Sequence, residues 1–343
     1  MKLLVLGADN EYAIERFYLR HWKSSKSEFE IDFLAIQNIF YKYYNKNYFN
    51  KFLFKIGLSS IYKIINFKLI DKINSFKPNI IFVFKGMEIF PSTLEYAKNK
   101  NIILVNYNPD NPFIFSGSGS GNLNITKSIC LYDLHFTYNQ EVKRQIEKAY
   151  KTRSIILPFG FDIPDELFEI CMELNEIPKT CFIGTPDIQR AKFLNELAFL
   201  GISIDVYGNN WESFRKSKNI TCYKSVKGDE FWKTLRKYRI QLNLMRTHNL
   251  NSHNMRSFEI PSIGGIQLAP NTYDHKNYFE EGKEIFLFKN LDDCFSKINY
   301  LLSLNYDESR NFRILARQAS INKEYSYKHR AIEVLKVINA LPK

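Results

Sequence analysis

The chain has 343 residues carrying 48 Lys and Arg against 36 Asp and Glu, a formal charge of +12, with 45% of residues apolar and 15% aromatic. So much apolar material excludes a disordered tail, and at this length one hydrophobic core usually divides into two. The N-terminal run MKLLVLGADNE is too short and too soon acidic for a signal peptide, and no stretch approaches the roughly 18 to 20 apolar residues that cross a bilayer.

Short apolar runs of strand length alternate with longer stretches of helical period, which predicts parallel α/β architecture. KLLVLG (2–7) reads as a strand, EYAIERFYLRHWK as a helix, and EIDFLAI (30–36) as the next strand. IIFVFKG (80–86), IILVNYNP (102–109), LHFTYN (134–139) and SIILPFG (154–160) complete a first series. A second opens with TCFIGTP (180–186), a helix from about Asp187 to Leu200, and SIDVYG (203–208). It continues through QLNLMR (241–246), GIQLAP (265–270) and IFLFKN (285–290). Both series begin strand, glycine turn, helix, the pattern of two Rossmann-like domains in tandem. The expected boundaries are 1–160 for the first domain, 161–178 for a proline-marked linker, 179–325 for the second domain and 326–343 for a helix returning to the first.

Several motifs are weak as carriers of chemistry. SGSGSG (116–121) lacks the Lys-Ser/Thr and the helix start of a phosphate loop and reads as an ordinary loop. His248 and His253 are five apart, which misses the helical spacing of a zinc pair. The five cysteines, Cys130, Cys171, Cys181, Cys222 and Cys294, form no CxxC pair, so no metal or redox site is expected and a reducing cytoplasm fits.

The positive excess is unevenly placed. Residues 38–77 hold 8 Lys, 1 Asp and 11 aromatic residues, a pattern that fits either an amphipathic helix pair with a solvated Lys face or an interfacial segment on anionic lipid. Stacking on single-stranded nucleic acid is the third reading of that mixture and the least favoured; no nucleic-acid partner is expected. Residues 179–256 hold 14 basic and 6 acidic side chains, which suits an anionic ligand nearby.

MRSFEIPSIGGIQLAP (255–270) places Glu259 five residues before a glycine pair that leads into an apolar strand. Such a carboxylate suits ribose hydroxyls, and equally suits capping of its own helix beside glycines that pack helix on strand. Arg190, Arg246 and Arg256 each fit a phosphate, through the planar guanidinium fork, or a surface ion pair.

The ordered series FIGTPDIQR (182–190), DVYGNNW (205–211), LNLMR (242–246), NMRSFEIPSIGG (254–265) and EEGKEIFLFKNLDDCFSKINYLL (280–302) resembles the donor half of group-1 glycosyltransferases, in particular the CgeB-like (spore-maturation-protein-like) branch. NPDNP (108–112), YDLHFTYN (132–139) and LPFGFD (157–162) resemble the same branch in the first half. The resemblance implies a GT-B fold, α/β, with two Rossmann-like domains facing a cleft and the C-terminal helix packing back on the first. It implies a metal-independent, hexosyltransferase-like enzyme of bacterial surface-glycan biosynthesis. The donor would be a nucleotide-diphosphate sugar, with no separate cofactor, and the acceptor a glycan, lipid or protein. The enzyme would be cytoplasmic, or peripheral at the inner face of the membrane through residues 38–77.

Residue by residue, the resemblance gives Glu259 the ribose role, lets Gly264 and Gly265 admit the donor to the backbone, and sets Arg190, Arg256, Arg246 and the turn at Gly184 near the diphosphate. Many retaining members carry a second Glu eight residues before the ribose carboxylate; here that position is Asn251, so stereochemistry does not follow. The polar loop 247–254 is expected to line the sugar pocket. If the reaction inverts, a base is needed, and Asp110, Glu11 and Asp9 stand just after predicted strand ends; Asp110 leads, although its loop also suits a turn-forming Asp. A non-catalytic glycan- or lipid-binding protein and a sugar-nucleotide epimerase or phosphorylase on the same fold are the competing readings.

Overall fold

The computed structural model describes residues 1–25, 28–115, 120–246, 249 and 251–342. The chain divides into two units: Met1–Pro158 with the stretch from Arg330 onward, and Phe159–His329.

Unit 1 is built on six strands: β1 (Lys2–Leu6), β2 (Glu30–Leu34), β3 (Ile80–Phe84), β4 (Ile103–Asn108), β5 (Leu134–Thr137) and β6 (Ser154–Ile156). All pair in parallel, in the order β2-β1-β3-β4-β5-β6. A parallel strand is covered on both faces, which explains why β1 and β3 read as unbroken apolar runs. Its helices are α1 (Ile14–Ser24), α2 (Ile36–Tyr44), α3 (Tyr48–Lys55), α4 (Ile61–Phe76), α5 (Pro91–Lys98), α6 (Leu123–Ser128) and α7 (Gln140–Tyr150). On one face, Ile61, Ile65, Leu69 and Ile73 of α4, four residues apart, pack with Leu4, Leu6, Ile81 and Val83 of the sheet. On the other, Tyr18 and Trp22 of α1 meet Phe82, Phe84 and Tyr107 edge-on or tilted.

Unit 2 carries β7 (Ile177–Ile183), β8 (Ile204–Tyr207), β9 (Ile220–Tyr223), β10 (Tyr238–Leu242), β11 (Gln267–Pro270) and β12 (Phe286–Phe288), again all parallel, in the order β12-β11-β10-β7-β8-β9. Its helices are α8 (Asp165–Met172), α9 (Ile188–Phe199), α10 (Gly228–Lys237), α11 (Arg256–Ser262), α12 (Tyr273–Tyr278), α13 (Leu291–Ser303) and α14 (Tyr306–Asn322). One face is covered by Leu194 and Leu197 of α9 with Ile298 and Leu301 of α13. The other takes Leu167 and Cys171 of α8, Phe231 and Leu235 of α10, and Ile260 of α11. The last helix, α15 (Tyr327–Asn339), begins at the end of unit 2 and continues into unit 1, where the Ala331 carbonyl accepts from Trp22 Nε1 at 2.9 Å.

Two details depart from the sequence expectation. The stretch 161–178 contains α8, whose Leu167 and Cys171 are buried in the core of unit 2. Pro164 directly precedes the first turn of α8, a position where a missing N–H removes no hydrogen bond. The short strand β9 was not expected, because its four residues ITCY offer only one fully buried side chain.

Candidate functional site

In a doubly wound sheet, ligands bind outside the carboxyl ends of the strands where the strand order reverses, since the loops there diverge to opposite faces. In unit 2 the reversal lies between β7 and β10, and in unit 1 between β1 and β3.

At the unit 2 reversal, β7 runs into Gly184–Thr185–Pro186, and Asp187 opens α9 by accepting the Arg190 N–H at 2.9 Å. The first turn of α9 therefore aims Arg190 across the sheet. Its Nη2 donates to the Leu244 carbonyl beyond β10 at 2.7 Å, and its Nη1 to the Thr185 carbonyl at 3.3 Å. Arg246 reaches back the other way and donates from Nη2 to Thr185 Oγ1 at 2.8 Å. Burial lowers the Arg190 pKa to about 10; the charge of Asp187 opposes this, and the charges of Arg246 and Arg256 add to it. The Arg190 guanidinium thus lies close enough to those of Arg246 and Arg256 to feel both charges.

α11 does hold Arg256. Arg256 and Glu259, one turn apart, form an ion pair, and the guanidinium lies 4.3 Å from the centre of the Phe231 ring. Glu259 is buried, which raises its pKa against the pull of Arg256. The Arg256 Nε is buried and has no hydrogen-bond partner among the described residues. The start of α11 is fixed from below. Asn254 Oδ1 accepts the Ser257 N–H, and Asn254 Nδ2 donates to Asn243 Oδ1 at 2.8 Å. His275 Nδ1 sits 2.9 Å from the Pro270 carbonyl, which can only accept, so Nδ1 carries the proton and Nε2 accepts from Ser257 Oγ at 2.8 Å. Burial keeps His275 neutral, its pKa lowered to about 4.

Gly264 and Gly265 form the turn that ends α11. Gly264 has φ +70° and follows Ile263, the residue that caps α11; its N–H donates to the Pro261 carbonyl, and the Gly265 N–H to the Ile260 carbonyl at 2.8 Å. This pair of bonds is a Schellman helix stop. A Cβ at Gly264 would stand 3.3 Å from the Arg313 carbonyl, and one at Gly265 would stand 2.9 Å from that of Ile260. The space a Cβ would take at either glycine is thus occupied by protein. At the ends of β7 and β8, Trp211 Nε1 donates to the Gly184 carbonyl at 2.8 Å, and a Cβ at Gly208 would stand 2.3 Å from that same oxygen. Gly208 and Trp211 thereby shape the turn that carries Gly184, a role the motif DVYGNNW did not disclose.

In unit 1, Asp9 and Glu11 are exposed; the Asp9 N–H donates to Asn38 Oδ1 at 2.7 Å, and its carboxylate lies 3.5 Å from Arg16 Nε. Asp110 follows β4, turns its N–H onto Asn108 Oδ1 and accepts from Lys85 Nζ at 2.5 Å. Lys85, directly after β3, has φ +62°, a conformation that an L-residue adopts at a cost of about 1–2 kcal/mol. Two buried acids stand nearby. Glu15 accepts the Ala8 N–H at 3.1 Å, and burial raises its pKa. Burial pushes Glu88 up to about 7, against the lowering charge of Lys85 and with a raising contribution from Glu15. Glu88 Oε2 has no hydrogen-bond partner among the described residues. Lys85 and Glu88 were not singled out from the sequence, although a Lys, a Gly and a Glu crowd the end of the apolar run IIFVFKGME.

Residues 116–119 of SGSGSG, His248, and residues 247 and 250 of the polar loop lie outside the described residues; Asn251 is exposed. Among the described residues no group of three or more His, Cys, Asp or Glu could hold a metal ion.

Residues 189–336 match a family model described as glycosyl transferase-like. No curated protein matches the sequence. Among solved structures, sucrose-phosphate synthase from Thermosynechococcus elongatus superposes with a TM-score of 0.70 at 7% identity, over 99% of this chain and 98% of that one. A glycosyltransferase from Rickettsia africae gives 0.63 at 14% identity, over 98% and 97%. UDP-GlcNAc 2-epimerase from Neisseria meningitidis, bound to UDP-GlcNAc, gives 0.57 at 13%, over 99% and 100%. Two parallel six-stranded sheets with flanking helices make this the GT-B fold, as the sequence resemblance implied.

Proposed function

From the GT-B fold and the glycosyl transferase-like stretch 189–336, we propose that this protein transfers a sugar from a nucleotide-diphosphate sugar to a glycan, lipid-linked or protein acceptor, in the CgeB-like manner and in surface-glycan assembly. The observation that carries the reading is the crowding of Arg190, Arg246 and Arg256 beside Glu259 at the order reversal of the second sheet. Guanidinium forks pair with diphosphate oxygens in two-point contacts, and a carboxylate pairs with the two ribose hydroxyls. When the bond from sugar C1 to the diphosphate breaks, charge builds on the leaving oxygens; cations already in place stabilise it without reorganising. The acceptor hydroxyl bonds to C1 and releases its proton to a general base or to the leaving phosphate. The UDP-GlcNAc bound by the Neisseria protein supports a nucleotide-sugar donor.

That same likeness favours one second reading, a sugar-nucleotide epimerase, which would change the sugar without moving it to an acceptor. A thermal-shift screen with UDP, GDP, CMP and dTDP sugars names the donor, because a ligand that binds only the folded state raises its stability by mass action. Product analysis with that donor then separates transfer from epimerisation. Glu259→Ala is expected to weaken donor binding by about 10- to 100-fold, as loss of a hydrogen bond to a charged group does, with the fold retained. Unchanged affinity by calorimetry refutes the assignment of this site.

A further inference from the structure

No helix among the described residues is long and apolar enough to cross a membrane, yet one part of unit 1 exposes apolar surface in a concentrated way. Of the 23 large apolar side chains exposed among the described residues, eight fall between Tyr41 and Phe67. Tyr48 is 90% exposed, Phe49 65%, Phe52 55%, Leu58 72% and Phe67 65%. α3 has no buried residue at all. It is held by Phe54, which meets Phe40, Tyr44 and Tyr62 edge-on at 4.9, 5.6 and 5.5 Å. With about 100° per residue, that anchor turns Tyr48, Phe49 and Phe52 to the opposite side. On α4 the same happens: Ile61, Ile65, Leu69 and Ile73 are buried, while Lys63, Ile64, Phe67 and Lys68 form an outward stripe.

The charge around these rings is mostly of one sign, with the exposed Asp71, one turn on from Phe67, as the exception. Among the described residues Lys42, Lys46, Lys51, Lys55, Lys63 and Lys68 form no ion pair, and all but the half-buried Lys51 are exposed. Lys51 Nζ instead lies 5.5 Å from the Tyr44 ring centre and 5.8 Å from that of Tyr48. Aromatic rings in the open, ringed by unpaired ammonium groups, complement a surface whose outer layer is anionic and whose next layer is apolar. We propose that α2, α3 and the outer stripe of α4 dock this protein on an anionic lipid bilayer, with Tyr48, Phe49 and Phe52 entering the headgroup region and the lysines facing the lipid phosphates. This proposal stands apart from the transferase reading, since it involves no residue of unit 2.

The test is co-sedimentation of the full chain with phosphatidylcholine vesicles, pure or mixed with phosphatidylglycerol. The expected result is binding to the mixed vesicles alone, reversed by salt. Two variants at exposed positions separate the contributions: Tyr48→Ser/Phe49→Ser/Phe52→Ser, and replacement of the six lysines by Gln. Each is expected to lower the lipid partition coefficient at least about tenfold, with circular dichroism and the thermal transition unchanged. Absence of vesicle binding by the natural chain overturns the proposal, as does equal binding to both vesicle types or unchanged binding by both variants. A concentration-dependent dimer, abolished by the aromatic variant and seen without vesicle binding, assigns this face to a second copy of the chain and likewise overturns it.

Discussion

Glu259 and Glu88 are both buried acids, but they differ in what neutralises them. Glu259 has Arg256 in direct contact, whereas the ammonium near Glu88 belongs to Lys85 and is 2.5 Å from Asp110 instead. The Glu88 pKa rises from 4.5 to about 7, mainly through burial. Between those values the native state keeps a proton that the unfolded chain has released. Stability therefore falls as pH rises through that window and levels off above it, by an amount on the order of 3 kcal/mol. Glu15, raised in the same sense, steepens the fall. Glu88→Gln is expected to flatten the decline and to leave the variant more stable than the natural chain at about pH 8, while matching it near pH 5. Urea denaturation at the two pH values checks this; a parallel decline in both proteins refutes it. The nearness of Arg256 to Glu259 was legible, because a spacing of three puts both on one helix face. Glu88 was not, because its burial comes from distant chain: Asn66 of α4 grips the Glu88 carbonyl and the Phe90 N–H.

Among the elements, α11 shows how a seven-residue helix is fixed at both ends by its surroundings. Its start rests on the Asn254, Ser257 and His275 bonds, and its end on Gly264 and on Arg313 and Arg317, which donate to the Gly264 and Ser262 carbonyls at 3.0 and 2.7 Å. Gly264→Ala forces a side chain into a left-handed conformation and is expected to cost about 1–2 kcal/mol of stability. Because Gly264 faces protein, the variant's donor affinity is expected to fall far less than that of Glu259→Ala; denaturation and calorimetry on the two variants make the comparison. The strands were legible wherever an apolar run lay buried on both faces, as in β1, β3 and β4. Residues 38–77, for which a helix pair was one of the readings, fall in three helices, α2, α3 and α4. β9 and α8 escaped notice since the burial of a short polar-flanked segment is decided by the sheet it joins, which no local pattern records.

Over the whole molecule, the division into two series of strands was plain from chain order, whereas the strand order in each sheet was not, because pairing partners lie far apart in sequence. Unit 2 has a central tie that only the folded chain makes. Glu176 accepts from Arg239 Nε at 2.5 Å and from Arg313 Nη2 at 2.5 Å, while Arg239 Nη1 donates to the Leu301 and Leu304 carbonyls. All three side chains are at least nine-tenths buried, so Glu176→Ala leaves two guanidiniums without their counter-charge. Such a loss is expected to lower the stability of unit 2 by about 3–5 kcal/mol. Hydrogen exchange would then quicken in β7 and β10 before it does in the unit 1 sheet, and uniform change in both sheets refutes the local role. The sheets also end in a way that bears on survival in a crowded solution. An outermost strand presents unpaired N–H and C=O groups, a template on which another chain can add. Here three of the four outermost strands, β6, β9 and β12, have only three or four residues. The longer one, β2, carries Glu30 and Asp32, the latter bound by Lys72 of α4. Parallel sheets assemble slowly, because each pairing waits on a distant segment. Short or acid-bearing borders are what keep two such sheets from joining with those of other chains during that wait.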